Sequence, residues 1–168
     1  MYKLGILIAS DKGYAGERTD ESGKVIIEAF KGGDFEIIEY KIVPDERLII
    51  SESLINQADR LGADLILTSG GTGFSPRDIT PEATLDVIDR QVPGIPEAMR
   101  QKSLEITPRA MLSRAVAGIR NRTLIINLPG SPKAVSECID VFFPVLGHAL
   151  EILKGQAGEC AGEVCKGT

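Results

Sequence analysis

"LILTSGGTGFSPRDITPEAT", residues 65–84, decides the fold. A short strand, Leu65–Ser69, apolar at Leu65, Ile66 and Leu67, meets three glycines within four residues: Gly70, Gly71 and Gly73. Pro76-Arg77-Asp78 follows, and then Thr80-Pro81, which reads as the N-cap and first residue of a helix. Consecutive apolar residues in a strand are buried on both faces, as in a parallel sheet covered by helices. Ordering so many glycines costs conformational entropy. Bare amides turned toward an anion would offset that cost, because successive glycines let main-chain N–H groups form a nest. The competing reading is a plain structural turn.

The same grammar extends outward. Tyr2–Ala9, Phe35–Val43, Ala115–Ile119 and Thr123–Leu128 read as further strands. Helical patterns cover Glu21–Lys31, Arg47–Leu61, Pro81–Arg90, Ile95–Ile106 and Lys133–Leu153, the last kinked or divided at Pro144. Ser10–Asp20 reads as a loop. Strands alternating with helices predict an α/β fold: a three-layer α/β/α sandwich with a mostly parallel sheet and right-handed crossovers. Residues 1–154 make one domain, and 155–168 a flexible C-terminal tail carrying Cys160 and Cys165.

Parallel sheets bind ligands beyond the carboxyl ends of their strands, which is where residues 70–80 fall. Ser69 and Thr72 add hydroxyls there. A Walker A loop is excluded because Phe74-Ser75 stands where Lys-Ser/Thr belongs, and a dinucleotide fingerprint is excluded by Pro76. "IINLPGSPKAV", residues 125–135, repeats the arrangement: Pro129-Gly130 turns, Ser131 caps and Pro132 opens a helix, with Lys133 adding a positive charge. Two such loops on one rim suit a ligand with several phosphates.

Composition limits the alternatives. The chain of 168 residues is 43% hydrophobic, enough for one core, and carries a formal charge of −5. That balance argues against nucleic-acid binding by bulk charge. No apolar run approaches the roughly 20 residues that span a bilayer. Three cysteines form no disulfide framework or zinc knuckle. A reduced cytoplasmic protein without a membrane segment is the expectation.

Asp45, in "IVPDERL", and Asp78, in "SPRDIT", both follow strand carboxyl ends. Mg²⁺ takes one or two carboxylates beside water and phosphate oxygens, and this pair suits it. Each aspartate reads equally well as a local cap. Arg77, Arg109 and Arg114 are candidate phosphate clamps or solvated charges. His148 reads as packing. With no Ser-His-Asp or Cys-His pattern, the substrate itself is the expected nucleophile.

Together "TSGGTGFSPRDITPEAT", "VPDE", "LSRAVAGIR" and "LIINLPGSPKAVSEC" resemble the Mog-type molybdopterin adenylyltransferases, the group that includes the G domain of gephyrin. The similarity spans about residues 6–153. It implies a domain that trimerises and transfers AMP from Mg-ATP to molybdopterin, releasing pyrophosphate. By position it makes Asp45 and Asp78 the catalytic, metal-holding pair. Ser69, Gly70, Gly71, Thr72 and Gly73 become the main ligand loop. Ser113, Arg114, Asn127, Pro129, Gly130, Ser131, Pro132 and Lys133 line the same pocket, and Asp11 sits in the family's "SD" after the first strand. A molybdenum-insertion protein is an implied partner. Rival readings are a non-catalytic pterin or nucleotide carrier of the sister branch, a scaffold trimer, and a CinA-like nucleotide hydrolase.

Overall fold

The computed structural model describes residues 1–155. Six strands form one sheet in the order β2-β1-β3-β6-β5-β4. They are β1 (Tyr2–Ala9), β2 (Phe35–Val43), β3 (Leu65–Ser69), β4 (Arg90–Gln91), β5 (Ala117–Arg120) and β6 (Thr123–Leu128). β2, β1, β3 and β6 run parallel, while β5 is antiparallel to both β6 and β4. The α/β sandwich is therefore mostly parallel, with an antiparallel edge.

Both faces of the sheet are covered. Along β1 the side chains alternate: Leu4, Ile6 and Ile8 enter one core, and Leu7 and Ala9 the other. The first core is closed by α2 (Glu21–Phe30), α5 (Gly94–Leu104) and α6 (Pro132–Leu153) through Ile26, Phe30, Met99, Val135, Ile139 and Phe142. The second is closed by α3 (Arg47–Ile55) and α4 (Thr80–Leu85) through Ile50, Leu54 and Ala83. β3 is buried at every residue, the apolar Leu65, Ile66 and Leu67 as well as the polar Thr68 and Ser69.

Several local readings change. The loop after β1 contains a short helix, α1 (Asp11–Tyr14), capped by Ser10 Oγ, which accepts from Gly13 N at 3.1 Å. The Arg47–Leu61 pattern breaks into α3 and a π-helical turn over Asn56–Arg60. The pattern expected over Pro81–Arg90 stops at Leu85, and Arg90 and Gln91 pair instead with Ile119 and Gly118 at the sheet edge. The Ile95–Ile106 helix runs over Gly94–Leu104, and the strand expected from Ala115 begins at Ala117. Ile79, not Thr80, occupies the cap position of α4.

Pro144 does not divide α6. It lies on the exposed side, where water can satisfy the carbonyl that its missing N–H leaves free. His148 is exposed and not packed. The buried stripe of α6 passes through Val135, Ile139, Phe142, Leu146 and Leu150, off the histidine's side. Apart from Gly155, the tail with Cys160 and Cys165 lies outside the described residues. Among the described residues no helix is long and apolar enough to cross a membrane.

Candidate functional site

Four strand ends deliver the site. β1 leads to Asp11, β2 to Asp45, β3 to Ser69–Gly73 and β6 to Pro129–Pro132. Their parallel direction puts all four on one rim. The two glycine loops are stitched together: Ser69 Oγ donates to Pro129 O at 2.8 Å, and Gly70 N to Leu128 O at 3.3 Å. Ser22 Oγ, from the start of α2, donates to Gly130 O at 2.7 Å. Gly70 (φ +95°) and Gly71 (φ +65°) hold backbone shapes that side chains resist. A Cβ on Gly70 would lie 2.3 Å from the main-chain oxygen of Ala9, so the loop presses directly onto the end of β1.

Two cavities share these loops as a wall. One, of about 240 Å³, has polar walls from Ser10, Arg18, Asp20, Asp45, Asp78 and the glycine pair Gly70-Gly71, with Gly130 beside Gly70. The other, of about 280 Å³, is mostly apolar, bounded by Met99, Leu112, Cys138 and Pro129 beside Thr72, Gly73, Ser113 and Arg109. Burial pushes the Cys138 thiol up from its ordinary pKa.

The carboxylates are organised around Asp45. Asp11 N donates to Asp45 Oδ2 at 2.9 Å, and Asp45 N donates back to Asp11 Oδ1 at 3.0 Å. Arg77 takes both oxygens of Asp11, at 3.0 and 2.8 Å, and reaches Glu46 at 2.8 Å. That guanidinium holds Asp11 below the usual carboxylate range. Burial holds Asp45 above it; the Asp11 amide opposes the rise, and the negative charges of Asp11 and Asp78 add to it. Asp78 Oδ2 accepts from Ser75 N at 2.8 Å. It lies 2.8 Å from where a Cβ on Gly73 would be, so only a glycine admits it there.

A half-buried carboxylate, raised first by desolvation and then by two like charges, is a place where a cation relieves repulsion. Asp45 and Asp78 on one polar wall fit Mg²⁺, which keeps waters and phosphate oxygens as its other ligands. Among the described residues no cluster of three or more His, Cys, Asp or Glu could form an all-protein cage.

Most of the expected residues converge. Ser69, Gly70, Gly71, Asp45, Asp78, Gly130 and Pro132 line the polar cavity, and Thr72, Gly73, Ser113 and Pro129 line the apolar one. Asp11 lines neither; it touches Asp45 and is engaged by Arg77. Four others also stand outside both cavities. Asn127 is wholly buried, its amide donating to Thr68 Oγ1 at 3.0 Å and Thr84 Oγ1 at 2.9 Å, so it sets the strand beneath the loop. Arg114 is a buckle: it donates to Gly73 O and Asp78 O, each at 2.7 Å, and pairs with Glu82. Ser131 is exposed and makes no side-chain cap bond. Lys133 points outward beside Glu137 at 3.8 Å.

Sequence reasoning missed Arg18, Thr19, Asp20 and Ser22, which complete the polar wall. The available signal was "TDESG": Asp20 accepts from Ser22 N and Gly23 N, a helix start shortly after a strand's carboxyl end.

The fold and site define a mixed α/β domain with a two-chambered cleft at the carboxyl ends of its parallel strands. The chain belongs to the family described as "probable molybdopterin binding domain", whose model matches residues 5–148. It is 46% identical to the molybdopterin adenylyltransferase of Helicobacter pylori strain J99 over 154 residues, covering 90% of this chain and 88% of that one. It is 44% identical to gephyrin of Dictyostelium discoideum, covering 91% of this chain and 23% of gephyrin. Among solved structures it resembles the molybdopterin biosynthesis enzyme MoaB of Thermus thermophilus, with TM-score 0.88 and 54% identity over 92% of this chain and 98% of that one.

Proposed function

We propose that this protein is a molybdopterin adenylyltransferase, which joins the AMP moiety of ATP to the terminal phosphate of molybdopterin and releases pyrophosphate. The observation that carries this reading is the shared wall. Two glycine loops stand between a polar and an apolar cavity, so phosphates arriving from two substrates meet the same main-chain amides. The apolar cavity suits a flat ring system and the polar cavity suits phosphates. Both carboxylates on the polar wall favour transfer over simple carriage of a pterin or nucleotide.

In this mechanism the terminal phosphate of molybdopterin attacks the α-phosphorus of ATP in line, and pyrophosphate leaves. Both reactants are anions already, so no protein base is required; their mutual repulsion is the obstacle. The Gly71 amide, which has no main-chain partner among the described residues, lowers it, and the rigid loops hold the reactants in line. Arg114 keeps the loop from relaxing. Asp45 and Asp78 would hold Mg²⁺, which when bound neutralises charge on the departing pyrophosphate.

The same reading makes the protein a cytoplasmic homotrimer that passes its product to a molybdenum-insertion protein. Leu48, Phe74 and Met111, 75%, 69% and 64% exposed, supply apolar surface for self-association. The enzymatic reading is tested by pyrophosphate release: ATP alone should yield little, and molybdopterin with Mg-ATP should yield pyrophosphate equimolar with adenylylated pterin. Pyrophosphate formed equally without pterin would make it a nucleotide hydrolase, and none at all would make it a carrier.

A further inference from the structure

The Thr80 hydroxyl is a buried polar group that the mechanism above does not use. Thr80 is wholly buried at the start of α4, and its Oγ1 has no hydrogen-bond partner among the described residues. Its main chain is fixed: N–H donates to Gly71 O at 3.1 Å, and the carbonyl accepts from Thr84 Oγ1 at 2.9 Å. Asn127 in turn donates to Thr84 Oγ1, so the residue is anchored to the sheet. A buried hydroxyl without a partner is costly and uncommon. Its location supplies a reason for it. A Cβ on Gly71 would lie 2.3 Å from Thr80 Oγ1 and 3.3 Å from Asp45 Oδ1. The glycine therefore leaves these two oxygens on the same small space. Asp45 Oδ2 is engaged by the Asp11 amide, whereas Oδ1 has no hydrogen-bond partner among the described residues.

We infer that Thr80 is a positioning residue for the divalent cation at Asp45: its hydroxyl donates to the Asp45 carboxylate that loading draws against Gly71. The inference rests on the reading that Asp45 helps to hold that cation. Outer partners of this kind fix the orientation of a ligating carboxylate. They also explain a hydroxyl that is orphaned when the cation is absent.

Wild type, Thr80→Val, Thr80→Ser and Asp45→Asn proteins are titrated with Mn²⁺ alone, bound metal being read by electron paramagnetic resonance, and each is melted in chelator. Thr80→Val should weaken Mn²⁺ binding about 10-fold while melting no lower than wild type, because it deletes a hydroxyl that has no partner in the metal-free fold. Thr80→Ser, which keeps the donor, should bind within about twofold of wild type. Asp45→Asn should lose binding. Wild-type affinity in Thr80→Val overturns the inference and leaves the cation reading standing. A metal-free melting loss in Thr80→Val shared by Thr80→Ser also overturns it, since the residue would then be structural. A wild type that binds no Mn²⁺, or an Asp45→Asn that still binds it, overturns the cation reading and the inference with it.

Discussion

Replacing Gly70 by alanine should damage the fold and the site together, and by an amount the structure fixes. Gly70 holds φ +95°, beyond the left-handed basin that other residues tolerate, and its new Cβ would sit 2.3 Å from the Ala9 carbonyl oxygen. That oxygen belongs to β1, held between β2 and β3, so the backbone cannot yield as a flexible side chain would. The conformational part costs about 1–2 kcal/mol. The overlap adds about as much again, giving about 2–4 kcal/mol. Gly32→Ala is the matched control: φ is +77°, but a Cβ there meets nothing within 4 Å, leaving only about 1 kcal/mol. At about 3 °C per kcal/mol for a chain of this size, Gly32→Ala should lower Tm by about 3 °C and Gly70→Ala by about 6–12 °C. Urea unfolding should reproduce the difference through the midpoint with an unchanged slope. If the two variants melt within about 2 °C of each other, the close approach of the loop to β1 is not a constraint and the reasoning fails.

Arg114→Lys keeps the charge but loses the fork that joins Gly73, Asp78 and Glu82; hydrogen exchange over residues 70–80 should quicken, with a loss of about 2 kcal/mol. Unchanged exchange would remove the buckle from the account. Asp45 carries a raised pKa. Its neutral form therefore suits the fold, and the stability present below about pH 4 is lost as pH rises through the raised value. Without metal, Asp45→Asn should match wild type at low pH and exceed it at neutral pH in chemical denaturation; a wild type more stable at neutral pH would reverse that sign. Asp78→Asn should leave pterin binding near normal and cut adenylyl transfer by about 10²-fold. Turnover at the wild-type rate would remove Asp78 from the reaction.

What the sequence made legible is what depends on local pattern. β3 is buried at every position because both of its faces are covered, and its apolar run Leu65–Leu67 is visible without coordinates. The glycine loops and their following helices announce themselves through Gly-Gly and Pro at helix starts. Asp45 and Asp78 follow from topology once the strands are parallel. Other features answer to distant partners. Arg90–Gln91 looks helical in isolation and becomes a strand because Gly118 and Ile119 offer an edge. Arg114 and Asn127 sit in motifs that resemble ligand-binding ones, yet their polar groups are engaged with loop and core atoms far away in sequence. The Arg18–Ser22 wall was missed because that loop carries no glycine run and is tied to the glycine loops by a bond from Ser22 to Gly130, 108 residues away in sequence.

The most direct measurement is a crystal structure of this protein with ATP and Mg²⁺. The account predicts phosphate oxygens within hydrogen-bond distance of main-chain amides in both glycine loops, and the cation against Asp45 and Asp78. Phosphates held elsewhere, with the Gly71 and Gly130 amides facing only solvent, would contradict it.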